Sequence, residues 1–234
     1  MNKSFFVTVF TFLCSVGVHA AALKISPVSI ELAQSQQSSS LTIANDSNEK
    51  TNLQIRVFKW QQKGNEESYI PTNDIVVSPP ALSLNGQQSY NLRVVRVNET
   101  AIDKEESYRV WIDELPTVVD SRTIGQGINV VLRTSLPLFI TNPKSIREAK
   151  AQLLHQDGKS IIEVNNIGGR FIQLTSLKLI DETTKQSYPI EINTLNGYVL
   201  NGNVKTYPLN EKFNYIATHK YTIQANINGK DISY

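Results

Sequence analysis

Apolar residues recur at every second position along most of this chain, and turn-forming residues interrupt the pattern about every ten positions, as they do in β-sandwiches. Leu53, Ile55 and Val57 leave one strand on one side while Phe58 and Trp60 leave it on the other, so both faces of that strand are expected to be covered. The run 107–116 alternates in the same way. Residues 23–26 and 28–32 alternate across Pro27, which suits a strand that bends or switches sheets. Asn45-Asp46, Asn85-Gly86, Asp157-Gly158, Asn196-Gly197 and Asn228-Gly229 mark turns, and the polar stretch 61–69 reads as a loop. No twelve-residue stretch has the period of an amphipathic helix, which argues against a parallel α/β architecture. About seven strands precede Asn142-Pro143 and about six follow. The expected fold class is all-β: two Ig-like β-sandwich domains in series, residues 21–142 and 143–234.

The stretch 123–142 departs from this regularity. Ile128, Val130, Leu132, Leu136, Leu138 and Ile140 share one parity, with Asn129, Arg133 and Ser135 on the other, and the pattern outlasts the usual strand of about 3 to 10 residues. Pro137 cannot donate a ladder bond, which assigns this strand to the border of a sheet. A long apolar edge is an aggregation hazard, so either this chain or a partner has to cover it. In strand addition, backbone hydrogen bonds supply affinity while alternate side chains fill pockets. Burying Ile128, Val130 and Leu132 contributes about 5 to 9 kcal/mol gross, at about 1.5 to 3 kcal/mol each, which rivals the whole stability of a small domain.

Residues 1–20 read as a secretory signal peptide: a positive start at Lys3, an apolar run from Phe5 to Val18, and the small-residue site Val18-His19-Ala20. The run is shorter than the roughly 20 residues a spanning helix needs, and no membrane insertion is expected from any later stretch. The single cysteine, Cys14, lies inside this run behind Leu13; neither a lipid anchor nor a disulfide is expected in the exported chain. Lys and Arg number 23 against 21 Asp and Glu, with no basic run, so no nucleic-acid partner is expected.

Candidates for chemistry are few. His155 and His219 lack metal-ligand spacing and read as surface histidines in turns. Gly125-Gln126-Gly127 lacks the third glycine and the helix of a phosphate cradle. Asp113 and Glu114 are adjacent on a strand and face opposite ways. A Ser-His-Asp set assembled in three dimensions stays open, with nothing in the sequence supporting one. No catalytic residue, metal or cofactor is expected.

The order of the motifs resembles that of periplasmic pilus-assembly chaperones of the chaperone-usher pathway. It runs from the signal peptide through the Asn45-Asp46 turn, Ser78-Pro79-Pro80, Arg93 in the next strand and Tyr108-Arg109-Val110-Trp111-Ile112-Asp113-Glu114-Leu115-Pro116, to the long strand ending Leu136-Pro137-Leu138-Phe139. The second half shares less, through Val164-Asn165-Asn166-Ile167-Gly168-Gly169. The resemblance implies a non-enzymatic chaperone that lends its long edge strand to incomplete Ig-like pilus subunits and delivers them to an outer-membrane usher. The lent side chains are Ile128, Val130 and Leu132, with Ile124 as an extension. The free form would hide this edge by self-association or by folding back the loop 117–127.

Better-known members of that family anchor the subunit's C-terminal carboxylate with an Arg in the first strand and a Lys late in the long one. Pro27 and Pro137 stand at the matching positions here. Arg93, Arg96, Arg109 and Arg133 are the candidate replacements, because a guanidinium binds a carboxylate bidentately; Arg93 ranks first, standing in the family's own strand pattern. The loss of both anchors and the Tyr-Arg-Val form resemble the archaic subgroup. The alternative is an exported Ig-like structural or adhesive protein that keeps its edge strand for itself.

Overall fold

The computed structural model describes residues 23–116, 132–193 and 196–234, and every regular element among them is a β-strand. The first ten strands are β1 (Leu23–Ser26), β2 (Ile30–Ala33), β3 (Ser38–Asn45), β4 (Thr51–Lys63), β5 (Glu66–Pro71), β6 (Ile75–Ser78), β7 (Ala81–Leu84), β8 (Ser89–Arg96), β9 (Glu106–Leu115) and β10 (Arg133–Thr141). They form one sheet ordered β1-β3-β8-β6 and a second ordered β2-β10-β9-β4-β5, with β7 also paired to β4. Period-two alternation sends Ile43, Leu92 and Val94 from the first sheet, and Ile55, Tyr108, Val110, Ile112 and Leu138 from the second, into one shared core. The chain switches sheets across Pro27, because β1 pairs with β3 whereas β2 pairs with β10.

Among the described residues the remaining strands pair only with one another. They are β11 (Ala149–Gln156), β12 (Lys159–Asn166), β13 (Ile172–Asp181), β14 (Gln186–Ile190), β15 (Tyr198–Val199), β16 (Val204–Pro208), β17 (Tyr221–Ile227) and β18 (Lys230–Ser233). Their sheets run β11-β12-β16 and β14-β13-β17-β18, with β15 against β13. Ile162, Val164, Leu179 and Ile223 are among the residues of the second core.

Two features differ from the sequence reading. The stretch 61–69, expected to be a loop, is the tip of a β4–β5 hairpin, with Gln62 opposite Glu67 and Lys63 opposite Glu66. Its polar composition reflects partners in the second sandwich. Tip residue Gly64 takes a φ of 61°, a left-handed conformation that costs glycine little. Secondly, β10 is an edge only in its first half. From Leu138 to Ile140 it lies between antiparallel β9 and parallel β2, and Thr141 pairs with β2, whereas among the described residues Arg133 to Pro137 pair with β9 alone. The short β2 supplies its first partner at Leu138, immediately after the proline.

The two halves meet over a third buried cluster of Trp60, Phe139, Phe171, Tyr198 and Leu200. Phe139 and Phe171 stack with ring centroids 4.0 Å apart. Beside them Glu105, 4% exposed, accepts bonds from the Phe171 amide at 2.7 Å and Arg170 Nε at 3.3 Å. The hairpin tip closes the other side of the junction. Gln62 donates to the Tyr198 carbonyl and accepts from the Leu200 amide, and the Asn203 side chain bonds both backbone groups of Gly64. Asn65 bonds both backbone groups of Thr206, so the side chain of the tip covers that part of the β16 edge.

Candidate functional site

Between the halves lies a cleft of about 610 Å3 whose walls come from β5, β9 and β10 on one side and from β16 on the other. The strands that build it expose one parity to the core and the other to the cleft. On β9, Tyr108, Val110 and Ile112 point inward, so Arg109 and Trp111 point into the cleft. On β10 the same rule directs Arg133 and Ser135 to it.

Arg109 is the most unusual of these residues. It is only 8% exposed, and its guanidinium carbon lies 3.7 Å from the centroid of the Trp60 ring and 5.4 Å from that of Tyr198. Such stacking is favourable for a cation, yet Nε is buried with no hydrogen-bond partner among the described residues. Burial pulls the guanidinium below its usual value, while the nearby Tyr69, Glu67 and Tyr198 push it back. An arginine remains charged through such shifts, which leaves a buried cation that Glu67 influences only at a distance, with no carboxylate in ion-pair contact among the described residues.

Opposite it stands Lys205 of β16, 3% exposed and 3.2 Å from Glu67. Burial lowers the Lys205 ammonium; Glu67 opposes that shift and the like charge of Arg109 adds to it. Glu67 itself is fully engaged. One oxygen accepts from Gln62 and Lys205, the other from the Trp60 indole and the Tyr69 hydroxyl. Burial alone would raise the Glu67 carboxyl, but these donors outweigh it and hold the group below its ordinary value. Burial and the bond to Glu67 push the Tyr69 phenol up to about 12.

The four arginines singled out by sequence separate into two pairs. Arg109 and Arg133 reach the cleft. Arg133 is already committed to Asp113, directly opposite it on β9, and stacks 4.3 Å from the Trp111 ring. Arg56 reaches the second oxygen of the same carboxylate at 2.6 Å. Arg93 and Arg96 belong to β8, in the sheet that does not border the cleft. Arg93 is exposed and donates to Ser38 at 3.3 Å. Arg96, 3% exposed, spends its donors on the backbone carbonyls of Gln34 and Thr100.

Of the strand side chains, Ile124, Ile128 and Val130 lie outside the described residues, and Leu132, immediately before β10, is 39% exposed. Glu67 and Lys205 were missed by sequence reasoning. Lys205 shares its parity with buried Tyr207, and a charge at a core-parity position was the available signal. His155 stacks on Tyr215 and His219 bonds Asp181; among the described residues no group of three His, Cys, Asp or Glu could hold a metal ion. No helix among them is long and apolar enough to cross a membrane.

No curated protein sequence matches the chain. Solved structures do. One is the CsuC–CsuE chaperone–tip adhesion subunit pre-assembly complex from archaic chaperone-usher Csu pili of Acinetobacter baumannii, with a TM-score of 0.68 at 22% identity over 92% of this chain and 97% of the other. Another is the SafB chaperone with SafA pilin of Salmonella enterica, with a TM-score of 0.65 at 16% identity over 92% and 97%. The Escherichia coli chaperone DraB gives 0.61 at 18% identity over 91% and 98%. Likeness at these identities shows the fold. The family model for the N-terminal domain of pili and flagellar-assembly chaperones matches residues 22–147. With more than half of its length matched by that model, the chain belongs to the family of pili and flagellar-assembly chaperones.

Proposed function

We propose that this protein works in the periplasm, in the archaic branch of chaperone-usher pilus assembly. There it holds incomplete Ig-like subunits on its β10 strand and its cleft until an outer-membrane usher takes them. The protein is a pilus-assembly chaperone and not an enzyme. Its two working units divide at Asn142-Pro143. Ile128, Val130 and Leu132, extended by Ile124, are the side chains lent to the subunit.

The observation that carries the reading is the buried cation of Arg109, which among the described residues has no carboxylate in ion-pair contact and stands beside a strand half with no second neighbour. An unpaired buried charge is costly unless a partner arrives. A chain-terminal carboxylate, bound bidentately by Arg109 with Lys205 as a second cation, supplies that partner. The adjoining free half of β10 gives the subunit's last strand a backbone to pair with. Two of the similar structures are complexes of a chaperone with a pilin or a tip subunit, which supports the same class of partner for this chain. Co-expression with a subunit encoded beside it tests the reading. The subunit is expected to accumulate only when the chaperone is present, and equal accumulation without it sinks the proposal.

A further inference from the structure

The charges at the floor of the cleft carry more information than their number. Arg109 is 8% exposed and Lys205 3%, and the Glu67 side chain retains 18% of its surface. Arg133 is half exposed at the mouth of the cleft, where it shares Asp113 with Arg56, so the buried floor itself consists of two cations and one anion. In such a low-dielectric setting each unit of imbalance is felt far more than in water. A single incoming monoanion brings this floor to neutrality, and a dianion overshoots it. Glu67 cannot swing aside to let a second negative charge in, because each of its oxygens already accepts two donors. It also reaches from β5 to a lysine on β16, so the group that balances the charge fixes the position of one cation.

We propose that Glu67 sets the specificity of the cleft: by holding Lys205 beside Arg109 and cancelling one of their two charges, it makes the cleft take one carboxylate monoanion in preference to a dianion. This rests on the reading of the cleft as the anchor for a subunit's terminal carboxylate. It adds the residue that decides which anions fit.

The test uses the full chain and two probe ions, acetate and sulfate, each titrated at neutral pH and constant ionic strength. The reporters are the NMR signals of the Trp60 indole N–H and the Arg109 Nε–H. The wild type is expected to respond at lower acetate than sulfate concentration. Glu67→Gln, which keeps size and one acceptor oxygen, is expected to move the acetate-to-sulfate preference toward sulfate by about tenfold, and Glu67→Asp to keep the wild-type order. A Glu67→Gln protein whose two affinities change by the same factor, or not at all, overturns the proposal. Should that variant fail to fold, Lys205→Gln takes its place: it leaves the floor neutral and must weaken both ions, sulfate more, and unchanged affinities overturn the proposal equally. Failure of the anchor reading is seen separately. It fails if Arg109→Met leaves the acetate response intact, and no response of the wild type to either ion sinks both ideas.

Discussion

The guanidinium carbon of Arg109 lies 3.7 Å from the centre of the Trp60 ring, and Nε of the same residue has no hydrogen-bond partner among the described residues. The two facts pull in opposite directions energetically. Stacking on an indole stabilises the cation by about 0.5 to 2 kcal/mol, whereas leaving a buried donor unsatisfied costs about 1 to 3 kcal/mol or more. At the upper end of both ranges the unsatisfied donor outweighs the stack, and on the proposed reading an incoming carboxylate relieves it. Arg109→Met keeps the apolar stem over Trp60 and removes the charge. Its melting temperature is expected to equal or exceed that of the wild type, while retention of a co-expressed subunit falls at least tenfold, the trade between stability and function seen at binding sites. A variant that melts lower and retains subunit normally shows a packing role only.

Charge placed on the strand proposed to be lent separates capture from folding. Leu132 precedes β10 and is 39% exposed, so it contributes little to the core of the free protein. Val130→Asp combined with Leu132→Asp is expected to abolish subunit capture, because each would put a carboxylate into an apolar groove. Far-ultraviolet circular dichroism and the melting temperature should stay near wild type. Unaltered capture refutes strand donation.

What could be read in the sequence depended on range. Burial parity gave β9, because Tyr108, Val110 and Ile112 alternate with polar or aromatic neighbours within one strand, and Pro27 marked a bend or a sheet switch, of which the pairing shows the switch. The parallel pairing of β2 with β10 was hidden, since it joins Ile30 to Leu138 across most of the first sandwich, and local periodicity carries no trace of it. The arginines show the same limit. Arg93 and Arg109 both sit on alternating strands, and nothing in their spacing says which sheet turns its outer face to the second domain. Gln62 and Glu67 looked like loop residues because their partners, Tyr198 and Lys205, lie far along the chain.

Acid stability offers a check on the second domain. Burial pushes the Asp181 carboxyl up, but His219, Thr184 and Thr183 donate to it and hold it down at about 2. An aspartate titrates near 3.9 in an unfolded chain. A folded value below that means the group stabilises the protein at every pH above about 4 and loses its contribution as pH falls toward about 2. Asp181→Asn is expected to melt lower than the wild type at neutral pH, with the gap closing across that acid window. A gap that stays constant down to the lowest pH assigns the loss to packing.

The stack of Phe139 on Phe171, with centroids 4.0 Å apart and rings inclined by 16°, joins a strand of the first sandwich to a residue of the second. Truncating a buried phenylalanine costs about 3 to 5 kcal/mol, and here the cavity opens between the halves, leaving both cores intact. Phe171→Ala should therefore act on the coupling of the two sandwiches. In calorimetry the wild type is expected to unfold in one transition and the variant in two, the second sandwich separating from the first. Subunit retention should fall as well on the proposed reading, because Arg109 comes from one half and Lys205 from the other, and the junction fixes the spacing of the two cations proposed to hold a carboxylate. A variant that melts lower but still in a single transition shows that the hydrogen bonds of the hairpin tip, from Gln62 to Asn65, hold the domains together without the aromatic cluster.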